Sequence, residues 1–150
     1  MSIGLILKHH TFYNTTHESF KSHFTTEKTL EEKIKSIQDR LEADVNYPKF
    51  KFRLQVHEFE AFLFSNPGIL ATHFGVDTSK KTEIEQILNT FGNNPELINN
   101  HPDTAPSKRL EKLFPGYGKI SDGIPLATKI GVNKIREKCM YFDKVCTLLE

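Results

Sequence analysis

Two short segments hold the residue types that phosphodiester chemistry would need. His57-Glu58-Phe59-Glu60 puts an imidazole and two carboxylates within four residues, directly after a stretch that reads as a strand. In open α/β sheets ligands gather beyond the carboxyl ends of strands, so the position suits a site. Hard divalent cations take carboxylate oxygens, and a histidine can ligate or orient them. Glu58 and Glu60 are therefore candidate metal ligands, and His57, Glu58 and Glu60 candidate catalytic groups. One helical turn would set His57 and Glu60 on one side and rotate Glu58 by about 100°. The plainer alternative is that acids in a first helical turn simply offset the helix dipole.

The second segment, Thr104-Ala105-Pro106-Ser107-Lys108-Arg109, opens a helix. Unpaired N–H groups, a hydroxyl and two cations there would suit a phosphate, so Ser107, Lys108 and Arg109 are candidate phosphate binders. The alternative is an ordinary helix start with two solvated cations. Lys119, after the Gly116-Tyr117-Gly118 turn, is a weaker candidate for a further cation. His9 and His10 are adjacent and point to opposite faces of a strand, so together with His17 and His23 they are read as surface or core residues. No glycine-rich phosphate loop, nucleophile elbow or paired-cysteine motif is present.

The elements that must position these residues follow from periodicity. Ile3 to Leu7 is a short apolar run that reads as a buried strand. Leu30, Ile34, Ile37 and Leu41 recur at helical spacing, which predicts an amphipathic helix over about 27–43. Its start is either Thr29, which with Glu32 has capping-box form, or Thr26. Phe50 to Val56 alternates apolar and polar strictly and predicts a central strand with His57 at its end. His57 to Phe64 then opens a helix. Asn66-Pro67 reads as a cap followed by proline at the first helical position, and Gly75 closes that helix. Further helices are expected at 82–91, shortly after Asn94-Pro95, and at about 106–114, 125–130, 131–139 and 142–149. Two strands and many helices do not complete a sheet. Either strands hide in the polar segments or the chain is part of a larger fold.

The 150 residues suit a single domain, and the net charge of +1 makes any phosphate binding a local matter. No run approaches the ~18–20 apolar residues that span a bilayer, so no membrane partner is expected. Cys139 and Cys146, seven apart, form neither a disulfide framework nor a common zinc motif, which points to a reducing compartment, the cytoplasm.

Read together, these strings resemble the domain-of-unknown-function 4276 family. His57 to Pro67 is similar to its HEFEALLFSDP signature, and the later segments keep the family order. These are Phe91-Gly92-Asn93, Glu96 to Asn99, Thr104 to Leu110, Leu113 to Tyr117, Gly123, Pro125, Ile130-Gly131 to Ile135-Arg136 and Lys138-Cys139. The resemblance is strongest over 57–150. It implies an α/β, Toprim-like fold and bacterial phage-defence or mobile-element settings beside an ATPase. It also implies magnesium-dependent chemistry on nucleic acid, with His57, Glu58, Glu60, Ser107, Lys108 and Arg109 as the residues carried over. An EGxTE-like first element is lacking, and Lys8 to Asn14, where an aspartate-bearing strand would align, contains no carboxylate. The expectation is a truncated Toprim-like domain with a helix-rich C-terminal half and few strands. It would be a nuclease-related protein, weakly active or inactive alone, or else a non-catalytic module that contacts an ATPase partner or nucleic acid, or a gene fragment.

Overall fold

Alternating apolar and charged residues give a strand one covered face, and Phe50–Gln55 behaves so: Phe52 and Leu54 are buried while Lys51 and Arg53 stay partly exposed. This strand, β2, pairs in parallel with β1 (Ile3–Lys8), with Ile3 opposite Phe50 and Lys8 opposite Gln55. A parallel pair needs a crossover, and the connection contains helix α1 (Leu30–Val45). The computed structural model describes residues 3–8 (as backbone), 29–55, 58–98, 101 and 103–150. Where the sequence suggests one domain, contacts divide the chain into two compact units, Met1–Val56 with Lys144–Glu150, and His57–Asp143.

In the first unit Thr29 is the cap of α1. Its hydroxyl accepts from the Glu32 amide, and the Glu32 carboxylate accepts from the Thr29 amide, so both halves of the capping box form. Asn46 ends the helix in the left-handed conformation. The strand β2 is not central among the described residues, because α1 closes its second edge. Glu42 accepts from the Phe52 amide at 2.9 Å, and Gln38 donates to the Phe52 carbonyl at 3.0 Å. Burial works against the Glu42 charge, but the Phe52 amide, Lys51 and Arg53 outweigh it and hold the carboxyl below its ordinary value. The expected α/β order is therefore present as a two-stranded parallel sheet in a helix-rich chain.

The second unit is built around a 3₁₀-helix, Phe59–Ser65. Every residue from Glu60 to Ser65 is buried. Sequence reading takes this stretch as the opening of an α-helix. Instead it forms a tighter helix with three residues per turn, a form rarely stable over such a length without surrounding contacts. Those contacts come from α2 (Pro67–His73), the short 3₁₀ turn Pro95–Leu97, α4 (Pro106–Leu113), α5 (Ile124–Ile130) and α6 (Val132–Lys138). A further helix, α3 (Thr78–Thr90), starts four residues before the expected Thr82, because Asp77 caps it. Phe62, Leu63, Phe64, Leu70, Leu110 and Leu126 anchor the core.

Helix α7 (Met140–Leu149) begins in this unit. Glu96, fully buried, accepts from the Tyr141 amide at 2.7 Å and the Phe142 amide at 2.9 Å. A carboxylate at a helix start satisfies orphan N–H groups and the dipole together. Among the described residues no helix is long and apolar enough to cross a membrane. Replacing Glu96 with Ala would leave one buried and one partly buried amide without their acceptor and should cost about 3 kcal/mol. Urea denaturation checks this, and Glu96→Gln, which keeps one carbonyl oxygen, should cost less.

Candidate functional site

The start of α4 has no acceptor of its own. Its cap position is Ala105, and Pro106 follows at the first helical position. The missing acceptor comes from 49 residues away: the Ser107 amide donates to Glu58 Oε2 at 3.2 Å. Glu58 can reach it because its backbone is extended (φ −65°, ψ 154°) just before the 3₁₀-helix begins. The two segments singled out in the sequence thus meet at hydrogen-bond distance. Lys108 is exposed, and its Nζ donates to Glu111 Oε2 at 2.7 Å. That bond and the Glu111 charge, with a smaller contribution from Glu58, hold the ammonium above the ordinary lysine value. Arg109 Nε donates to the Thr104 carbonyl at 2.8 Å, and its guanidinium lies 5.5 Å from the Phe91 ring centroid.

Glu60, 2% exposed, is paired with Lys119, whose Nζ lies 3.0 Å from Oε1 and 3.1 Å from Oε2. A carboxylate buried without such a partner would be costly to the fold. Lys119 opens a π-turn, Lys119–Gly123, in which the Gly123 amide reaches back to the Gly118 carbonyl. Turns of this kind recur at functional sites. Tyr117 projects its hydroxyl against Gly123, where a Cβ would stand 3.0 Å from Oη and 3.3 Å from Phe59 Cε1. A side chain there would fit only if Tyr117 or Phe59 gave way by a few tenths of an ångström. The Tyr117 oxygen is buried and, among the described residues, has no hydrogen-bond partner. Burial, then the charge of Glu60, then those of Asp122, Glu58 and Glu111, push its ionisation above the ordinary tyrosine value. The charges acting on Tyr117 thus include both glutamates of the His57–Glu60 segment.

The π-turn is tied down on its far side by Asp122. Asp122 Oδ2 accepts from the Gly118 amide at 2.8 Å and the Ser121 hydroxyl at 2.9 Å, and Oδ1 lies 3.0 Å from His73 Nε2. Lys129 Nζ stands 3.2 Å from His73 Nδ1. An ammonium can only donate, so Nδ1 accepts and the proton of the neutral ring sits on Nε2, facing Asp122.

Of the candidates from sequence, Glu58 and Ser107 touch, Glu60 and Lys119 touch, and Lys108 and Arg109 are bonded within or just before their own helix. His57 lies outside the described residues, as do the side chains of His9, His10, His17 and His23. Among the described residues no three His, Cys, Asp or Glu side chains form a metal-binding group. Glu58 and Glu60 each have another partner, so these donors do not fit the magnesium that the family resemblance implies. Cys139 is equally quiet: burial pushes its thiol up to about 12 despite the contact with Ser65. Tyr117, Asp122, His73, Lys129 and Glu111 were not visible as site residues. The only local signal was the Gly-Tyr-Gly turn, and nothing in the spacing links His73 to Asp122.

The His73 bond, followed by the Gly118 amide, holds the Asp122 carboxyl below its ordinary value. A carboxyl lowered in the folded state contributes stability above its unfolded pKa, near 4, and loses it as pH falls through the folded value. Asp122→Asn should therefore be less stable than the parent at pH 6–7, with the gap in denaturation midpoint closing as pH drops below about 4. An unchanged gap at low pH would remove this role from Asp122.

A family model described as "Domain of unknown function (DUF4276)" matches residues 12–150. The match takes in both segments of the site and extends well before residue 57, where the resemblance read from motifs begins. No curated protein matches the chain, and no solved structure does. With most of its length matched, the chain belongs to the domain-of-unknown-function 4276 family.

Proposed function

We propose that the chain is a Toprim-like, nuclease-related module of a bacterial defence or mobile-element system that binds phosphate-bearing strands and does not cut them by itself. The observation that carries this reading is the Glu58 carboxylate seated on the Ser107 amide. An acid that a nuclease would direct at a metal serves here to cap a helix. Glu60 is likewise occupied by Lys119. Two-metal phosphodiester cleavage needs carboxylates free to hold ions about 3.5–4 Å apart on either side of the reacting phosphorus, and neither glutamate is free. Binding asks for less. Lys108 is exposed at the start of α4 and the Lys119 side chain is 53% exposed, and one or two such cations suffice for weak, salt-sensitive attraction to phosphates.

A second reading, a contact face for the ATPase partner, is favoured by one observation. Ile120 and Ile124 are 78% and 57% exposed and lie one turn apart on the π-turn and the start of α5. Exposed apolar neighbours of this kind are common where proteins meet.

Purified protein incubated with single- and double-stranded DNA and RNA, with magnesium or manganese, should give no cleavage above a metal-free control. Binding should be detectable at low salt, weaken as salt rises, and drop in a Lys108→Ala/Arg109→Ala variant. Robust cleavage that is abolished in a folded Glu58→Ala/Glu60→Ala variant would show a complete enzyme and overturn the proposal.

A further inference from the structure

His73 ends α2 between two charged groups of opposite sign. Its Nε2 lies 3.0 Å from Asp122 Oδ1 on the π-turn, and its Nδ1 lies 3.2 Å from the Lys129 ammonium on α5. The ring is held in place. Its side chain is 15% exposed, and the Phe74 ring meets it edge-on at 4.9 Å while stacking on Phe114. Among the described residues no other hydrogen bond or ion pair joins it to a charged group. On α3, which also packs against α2, Asp77 caps its own helix and the other charges pair with one another, Lys80 with Glu83 and Lys81 with Glu85. Glu60, on the 3₁₀-helix beside α2, is taken by Lys119. A neutral imidazole has one N–H donor and one acceptor nitrogen, and both are used here. The N–H goes to Asp122, and the lone pair accepts from Lys129.

We propose that His73 is a proton-operated latch: the neutral ring holds Lys129 of α5, and the protonated ring releases it and grips Asp122 of the π-turn instead. The reason lies in what each nitrogen can do. A proton taken up at Nδ1 makes both ring nitrogens donors. The lone pair that accepts from Lys129 is then gone, and two cations face each other at 3.2 Å. One of them must leave. His73 is fixed by packing, whereas Lys129 is exposed on a flexible stem, so the lysine turns out to water. On the opposite side the same proton converts the bond to Asp122 into an ion pair between two mostly buried partners. Asp122 also accepts from the Gly118 amide and the Ser121 hydroxyl, so the stronger grip reaches the π-turn. Histidine ordinarily titrates within the physiological range, and a switch built on it needs two alternative arrangements. Here they are Lys129 docked on α2 and Lys129 free. The latch rests on this geometry and is independent of the phosphate reading.

The ring nitrogens of His73 report protonation and tautomer in NMR spectra of the isotope-labelled protein, with His73→Gln identifying the signal. Above its titration the ring should carry its hydrogen on Nε2. Lys129→Met removes a positive neighbour and a bond that only the neutral ring can accept, so it should raise the His73 titration midpoint by roughly half a unit to one unit. Asp122→Asn should lower that midpoint. The side-chain signals of Lys129 and the amides of Gly118 and Ser121 should shift with the same midpoint as the ring, and lose that step in His73→Gln. A stability cycle of parent, His73→Gln, Lys129→Met and the double variant, read as urea midpoints, gives a second measurement. The Lys129 contact belongs to the neutral ring, so its contribution is present above the histidine titration and lost as pH falls through it. Favourable coupling at about pH 8 should therefore vanish or change sign at about pH 5, on the other side of the ordinary histidine value near 6.5. A ring with its hydrogen on Nδ1, a midpoint that Lys129→Met leaves unchanged or lowers, or equal coupling at both pH values would overturn the latch.

Discussion

A helix whose own sequence offers no acceptor for its first amides must borrow one, and the second unit of this protein is organised around two such loans. Helix α4 starts at Ala105-Pro106 and takes Glu58; helix α7 starts after Cys139 and takes both oxygens of Glu96. Each is a charge-assisted bond to backbone N–H, and the Glu96 pair is made by a fully buried carboxylate, the situation in which such bonds count most. The two acceptors come from the two 3₁₀ segments, or the residue just before one, so the placement of those segments fixes where α4 and α7 begin. Core packing then follows, with Leu110 and Leu113 of α4 held against Leu63 and its neighbours in one cluster.

The same constraint explains why the His57–Glu60 string looks like chemistry. Acids that start one element and cap another have the spacing of metal ligands, because both tasks call for carboxylates that leave a strand end and point inward. What separates the two tasks is the partner. A metal-binding pair would share a neighbourhood with other unengaged oxygens, whereas Glu58 faces an amide and Glu60 an ammonium 3.0 Å away. Glu42 in the first unit uses the device once more, on the Phe52 amide at the open edge of β2. There it also shields a strand edge that would otherwise invite pairing with another chain.

Local signals were legible in the sequence and long-range ones were not. The Thr29–Glu32 capping box, the Asn66-Pro67 and Asn94-Pro95 starts and the alternation of β2 each involve residues within a few positions, and each appears as read. The start of α3 was placed late because Thr78 to Lys81 is polar and exposed, so it lacks an apolar stripe although Asp77 caps it well. Phe59–Ser65 was taken for an α-helix because burial on every side erases periodicity, leaving nothing to tell a 3₁₀-helix from an α-helix. At the site, Glu58 and Ser107 are each singled out by sequence, but nothing local announces that one caps the other. For Tyr117 the Gly116-Tyr117-Gly118 turn is the one local signal, and nothing in the sequence marks a buried hydroxyl that has no partner among the described residues.

The mixed charge around Tyr117 has a further consequence for what the site can become. Four carboxylates, Glu58, Glu60, Glu111 and Asp122, act on one hydroxyl, and each has a donor of its own: the Ser107 amide, Lys119, Lys108 and His73 respectively. Releasing Glu60 would strand a buried charge and releasing Glu58 would leave the Ser107 amide without its acceptor, whereas the Glu111–Lys108 pair is exposed on both sides. In the Glu60 pair the exposed member is Lys119, whose side chain reaches solvent while its acceptor does not. In the Glu60–Lys119 pair the acid is the buried partner and the cation the one that can move, and reversing the burial of the two would reverse those roles.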